Sequence, residues 1–117
     1  MRVERPEDMR DVPLLAFTGQ FQLLQGAAWF QPVLASARVV LETNSTHALL
    51  AAAHASLGVA VLPRFVGRTD DTLVAISAPV AELDVWLVTH PEFRRDPRVR
   101  VAADFLKRVA TGPSGLA

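Results

Sequence analysis

One stretch limits what this chain can become more than any other. Residues 38–66 read as a short strand, a polar turn, an alanine- and leucine-rich helix, a glycine, a second strand and a proline. Val39, Val40 and Leu41 are β-branched or apolar, the residue types that fill a buried strand. Thr43, Asn44, Ser45 and Thr46 then offer small polar side chains, which cap a helix by accepting from its first free amides. At about 100° per residue, the helix expected from Ser45 to Leu57 carries Leu49, Leu50, Ala53 and Leu57 in one arc facing the sheet. Gly58 leads into Val59-Ala60-Val61-Leu62, a second buried strand, and Pro63 stops it. Strand, helix and strand at this spacing predict a βαβ unit with parallel strands, since parallel neighbours need a crossover. Such a unit sets N–H groups and hydroxyls at the carboxyl edge of a sheet, where small anions bind.

The flanks are less specific. Residues 1–12 hold Arg2, Glu4, Arg5, Glu7, Asp8, Arg10 and Asp11, a mixed-sign run that reads as a solvated connector. Pro13-Leu14-Leu15-Ala16-Phe17 reads as a fully buried strand, with Thr18-Gly19-Gln20 turning at its end. Residues 26–36 look helical, with Ala27, Trp29, Phe30, Val33 and Leu34 apolar, but Pro32 argues for a break or two short pieces. Further on, Arg64 to Asp71 reads as a loop and Leu73 to Ile76 as a short strand. Leu83 to His90 is the longest strand candidate, with partial alternation. Asp96-Pro97 opens a last helix over 96–110 with a capping carboxylate and a proline at the first helical position. Val101, Ala102, Phe105, Leu106 and Val109 form its apolar stripe, and 111–117 is a tail.

Composition excludes several functions. The 117 residues make about one domain with a modest core. Half of them are hydrophobic, more than a small monomer needs, which points to surface covered by a partner or a further lobe. Twelve basic side chains balance twelve acidic ones, so no global field favours nucleic acid or anionic lipid. Without cysteine there is neither a disulfide nor a thiolate metal site. No signal-like segment and no bilayer-length apolar run is seen, so a cytoplasmic chain without membrane association is expected. His47 and His54 are seven apart, off the i,i+4 spacing of a helical metal pair, and read as surface histidines; no metal is expected. Arg94, Arg95, Arg98 and Arg100 lack interleaved aromatics and have Glu92, Asp96 and Asp104 nearby, which favours a solvated helix start over a phosphate-binding patch. Trp29, Phe30 and Trp86 read as core or interface anchors. No nucleophile elbow, phosphate loop or paired-histidine helix appears, so neither catalysis nor a cofactor is expected.

Taken in order, these residues resemble the C-terminal effector-binding domain of LysR-type transcriptional regulators, from about Pro13 to Val109. Arg38-Val39-Val40 leads into Asn44-Ser45-Thr46 and the leucine-alanine helix. Ser56-Leu57-Gly58-Val59-Ala60-Val61-Leu62-Pro63 is similar to the family's run of glycine, any residue, glycine, apolar, alanine, apolar, leucine and proline. Trp86-Leu87-Val88-Thr89-His90, Arg94-Arg95, Pro97-Arg98-Val99-Arg100 and Asp104-Phe105-Leu106 look like its closing strand and helix. Ser56 departs from the pattern, standing where the family has glycine at the helix end. In the left-handed region a serine costs about 1 kcal/mol, so a different turn is expected there.

The resemblance implies an α/β fold: a single lobe of a type 2 periplasmic-binding-protein-like domain, its mostly parallel sheet flanked by helices, with a C-terminal helix that returns to the other lobe. It implies that the lobe spans 13–110 and that the DNA-binding helix-turn-helix, like most of the first lobe, lies upstream of Met1. A small, anionic effector is then expected at the polar rim of Thr18, Gly19, Gln20, Thr43, Asn44, Ser45 and Thr46, with homo-oligomers as the assembled form and DNA reached only through the absent N-terminal domain. The competing expectation for the rim is ordinary capping, with Asn44 or Ser45 serving the helix alone. The competing expectation for the whole chain is a stand-alone interaction or dimerisation module without ligand.

Overall fold

The computed structural model describes residues 1–18, 27–113 and 115–116, which fall into two compact units, Met1–Leu83 and Asp84–Ala117. The division falls inside the stretch expected to form one lobe.

Unit one is built around β1 (Pro13–Phe17). It lies at the centre of a three-stranded sheet, between β2 (Arg38–Thr43) and β3 (Val59–Ala60), and is parallel to both. The strand-helix-strand reading is therefore correct, and its helix crosses over β1 to join the two outer strands. A strand covered on both faces needs apolar side chains at every position rather than at alternate ones. Leu14 and Ala16 pack with Phe30 and Val33 of α1 (Ala27–Ser36) and with Val3 and Met9. Leu15 and Phe17 pack with Leu49 and Ala52 of α2 (Thr46–His54). The two helices thus cover opposite faces of one sheet. Each fully buried large side chain contributes about 1.5–3 kcal/mol by leaving water.

Along β2 the pairing passes from Leu14–Val39 to Leu15–Leu41, so Val40 is an extra residue in a bulge. A bulge in an edge strand breaks the regular row of outward N–H and C=O groups, which discourages pairing with another chain. Helix α2 begins at Ser45, whose hydroxyl accepts from the Ala48 amide at 3.2 Å. It ends in a Schellman turn: the Ser56 amide donates to the Ala53 carbonyl and the Leu57 amide to the Ala52 carbonyl, each at 3.0 Å. Ser56 adopts φ 62°, so the turn is the glycine type despite the serine. Replacing Ser56 with glycine should therefore stabilise the chain by about 1 kcal/mol in urea unfolding, and a destabilised variant would refute the strain. The sheet-facing arc differs from the expected one. Leu49 and Ala52 are buried, while Leu57, beyond the turn, is 57% exposed.

Three further expectations are corrected. Pro32 does not split its helix; α1 is continuous, with Pro32 on the exposed side, where water can serve the carbonyl deprived of a donor. Residues 1–12 are no free connector. Val3 and Met9 are buried, the Val3 amide donates to the Ile76 carbonyl at 2.7 Å, and a 3-10 turn spans Pro6–Met9. The Asp8 carboxylate accepts from the Glu4 and Arg5 amides at 3.0 Å each, which holds its pKa below the ordinary value. Neither Leu73–Ile76 nor Leu83–His90 forms a strand. An apolar run becomes a strand only where a neighbour supplies a ladder of hydrogen bonds, and the bond from Val3 to Ile76 is a single rung.

Unit two holds a 3-10 turn (Pro91–Phe93) and α4 (Pro97–Thr111). Asp96 caps α4, its carboxylate accepting from the Arg98 amide at 2.9 Å and from the Arg98 guanidinium at 3.2 Å. The apolar stripe of α4 is uncovered, with Val101, Phe105, Leu106 and Val109 about half or more exposed. Trp86, expected as an anchor, is 80% exposed, whereas Phe30 is fully buried in unit one.

Candidate functional site

Because all three strands are parallel, their carboxyl ends share one edge of the sheet. Thr18 leaves β1 there, and Thr43 to Thr46 leave β2. The Thr18 amide donates to the Thr43 carbonyl at 3.1 Å, which joins the two polar turns. The Thr43 hydroxyl accepts from the Ser45 amide at 3.2 Å, so Thr43 braces the turn that presents the cap. Ser45 in turn spends its hydroxyl on Ala48. Ordinary capping thus accounts for Thr43 and Ser45 as they stand. Asn44 is exposed, Thr18 and Thr46 are half-buried, and the amides of Thr46 and His47 meet no acceptor among the described residues. The two amides lie at the positive end of the helix dipole, which favours negative charge. Gly19 and Gln20, the other rim residues expected from the sequence, lie outside the described residues.

The strand order β2-β1-β3 reverses direction at the border of β1 and β3. In open parallel sheets the carboxyl side of such a border is where ligands settle, because the loops diverge there and leave a crevice. The β1–β3 pairing ends at Leu15–Ala60, and the chain runs through residues 61–63 outside the sheet before a short helix begins at Arg64. Sequence reading passed over Arg64 as part of a loop.

Two shallow depressions lie elsewhere. One, of about 400 Å³, is beside the start of α4 and is lined by Phe93, Asp96, Arg98, Val99 and Ala102. The other, of about 390 Å³, follows Val39 to Glu42 along β2. Neither includes a rim residue.

A second polar cluster ties the end of α2 to the loop after α3 (Arg64–Gly67). His54 Nδ1 is 2.6 Å from Asp70 Oδ2, and Asp70 Oδ1 accepts from the Thr72 amide at 2.9 Å and its hydroxyl at 2.5 Å. Hydroxyl, imidazole and carboxylate meet here, yet not in a hydrolytic order. Thr72 donates to the acid and lies 3.3 Å from Nδ1, the same nitrogen that faces Asp70. A nucleophile would have to sit at Nε2. The cluster is a clamp. The Thr72 hydroxyl and then its amide hold the Asp70 carboxyl below its ordinary pKa; burial opposes them, and His54 adds a smaller downward pull. A carboxyl whose folded pKa is depressed contributes stability above its unfolded value and loses it as pH falls through the folded one. Stability should therefore decline below about pH 4, and the decline should flatten in Asp70→Asn. Urea midpoints measured from pH 5 to 2 check this, and an unchanged slope would deny the clamp a part.

Among the described residues no group of three or more histidine, aspartate or glutamate side chains could hold a metal ion, and no helix is long and apolar enough to cross a membrane. Compared with known families, the chain matches the model described as LysR substrate binding domain over residues 2–111. No curated protein and no solved structure matches it.

Proposed function

The chain belongs to the LysR substrate-binding domain family, and from that premise we propose that it is the effector-sensing portion of a cytoplasmic transcriptional regulator, taking a small anionic molecule at the rim formed by Thr18 and Thr43–Thr46. The family match over nearly the whole chain carries the reading. The rim supports it with a physical reason: unspent amides at the start of α2 beside the half-buried Thr18 favour negative charge. Gly19 and Gln20 follow Thr18 in sequence and belong to the proposed site. Effector binding would bias the geometry of the assembled regulator and so its hold on a promoter, through a DNA-binding domain outside this chain. The role is one of binding rather than catalysis.

The uncovered apolar side chains of unit two, Trp86 and Val88 together with the α4 stripe, support self-association and also favour the second reading, a pairing module without ligand. One sample separates the two. Titration with simple carboxylates should move the amide signals of Thr18 and Asn44 first, and sedimentation of the same sample should give more than the mass of one chain. Oligomers whose amide signals ignore every carboxylate would leave the pairing module standing and remove the sensor.

A further inference from the structure

We propose that His54 binds a divalent cation of the Zn²⁺ type, with His47 of a second copy of the chain as the other protein ligand. The place of one proton carries the argument. Asp70 is held ionised at neutral pH by its two bonds from Thr72, and a carboxylate can only accept. The proton in its 2.6 Å contact with His54 is therefore on Nδ1, and the neutral ring turns an unprotonated Nε2 away from the clamp. That nitrogen meets no partner among the described residues, and the His54 side chain is 61% exposed. An imidazole that donates its far N–H to a carboxylate has the arrangement that orients histidine for a metal and raises its basicity. His90 makes the contrast. Its Nδ1 accepts from the Glu92 amide at 3.2 Å, so in the neutral ring the proton sits on Nε2 and blocks coordination there.

One imidazole holds a metal weakly, so the site needs a second. His47 is exposed on the same face of α2 and nearly eclipses His54, about 10.5 Å away along the helix axis. That separation is long for one shared ion, but it suits a two-fold pair of antiparallel α2 helices. In such a pair His47 of each copy comes opposite His54 of the other, which gives two equivalent ions with water at their remaining positions. The residues between and beside the histidines on this face, Ala51 and Ala55, are exposed and small, so two helices can approach closely. Thr46–His54 carries no Asp, Glu, Lys or Arg, so no charge on the helix repels a copy, and antiparallel helices set opposite dipole ends side by side. Imidazole suits Zn²⁺, Cu²⁺ and Ni²⁺, whereas Mg²⁺ and Ca²⁺ prefer oxygen.

The test titrates the full chain with Zn²⁺ at neutral pH by calorimetry. Affinity for the ion is the readout rather than mass, because the stripe of α4 is expected to pair copies without metal. The unmodified chain should take up one zinc per chain, released by EDTA. His47→Ala and His54→Ala, both at exposed positions, should each weaken zinc binding about tenfold or more when measured alone. An equimolar mixture of the two should regain tight binding at one zinc per two chains, since His54 of the first variant then meets His47 of the second. Asp70→Asn, with both histidines in place, should weaken zinc by about 10–100-fold through the lost carboxylate behind the ring. Unmodified affinity in either histidine variant or in Asp70→Asn would overturn the proposal, and so would a mixture no tighter than its two components.

Discussion

Replacing Phe30 with alanine should destabilise unit one by about 3–5 kcal/mol, the range seen when a large aromatic ring is removed from a packed core. Phe30 is fully buried, and its ring fills the layer between α1 and the sheet beside Val3, Met9, Leu14, Ala16 and Val33. Little can move in to refill that layer. The strand behind it is pinned from its other face by Leu49 and Ala52, so relaxation on one side disturbs the other. A domain of this size has only about 5–15 kcal/mol in total, so the urea midpoint should fall far enough to be plain. Phe105→Ala is the control, since that ring lies 55% exposed on α4 and its loss should change stability by less than about 0.5 kcal/mol. Equal effects from the two variants would mean that α1 does not close the core.

The second large effect comes from adding one carbon. A Cβ built on Gly58 would stand 2.7 Å from the Pro13 carbonyl oxygen and 3.1 Å from its carbon. Both atoms are backbone at the start of the central strand, and neither can swing aside as a flexible side chain would. Gly58→Ala should therefore cost about 1–3 kcal/mol by forcing β1 and β3 apart. Gly67 is a fair comparison, because nothing lies within 4 Å of its Cβ position. In α3 an alanine there should be neutral or mildly stabilising. Thermal melts of the two alanine variants would show the contrast, and a harmless Gly58→Ala would mean that the β1–β3 approach is looser than described.

Much of this architecture was legible in advance, and the reasons are local. Strand β1 showed itself as an unbroken apolar run after a proline, and α4 opened one residue from the expected place because Asp96-Pro97 is a start signal complete in two residues. Ser45 and the parallel crossover followed from short-range chemistry as well. What failed depended on partners. Leu83 to His90 has the composition of a strand, but composition states a wish for burial and does not supply a neighbour. Val3 and Met9 enter the core through a charged segment, because two apolar side chains among seven charges leave no periodic trace. At the candidate site, the junction of Thr18 with Thr43 becomes visible once the strands are parallel. Side-chain contacts that only the fold brings together do not. The pairing of His54 with Asp70 escaped for the same reason.

The sheet order has a consequence for how the chain comes together. Its middle strand is made first, yet one flank cannot be filled until Val59 and Ala60 exist, and the bond from Val3 to Ile76 waits longer still. Closing such distant pairs delays the reward for the conformational freedom given up, so folding should be slow for a chain this short. Until then the Pro13–Phe17 segment keeps one edge bare, and a newly synthesised chain is most prone to aggregate during that wait.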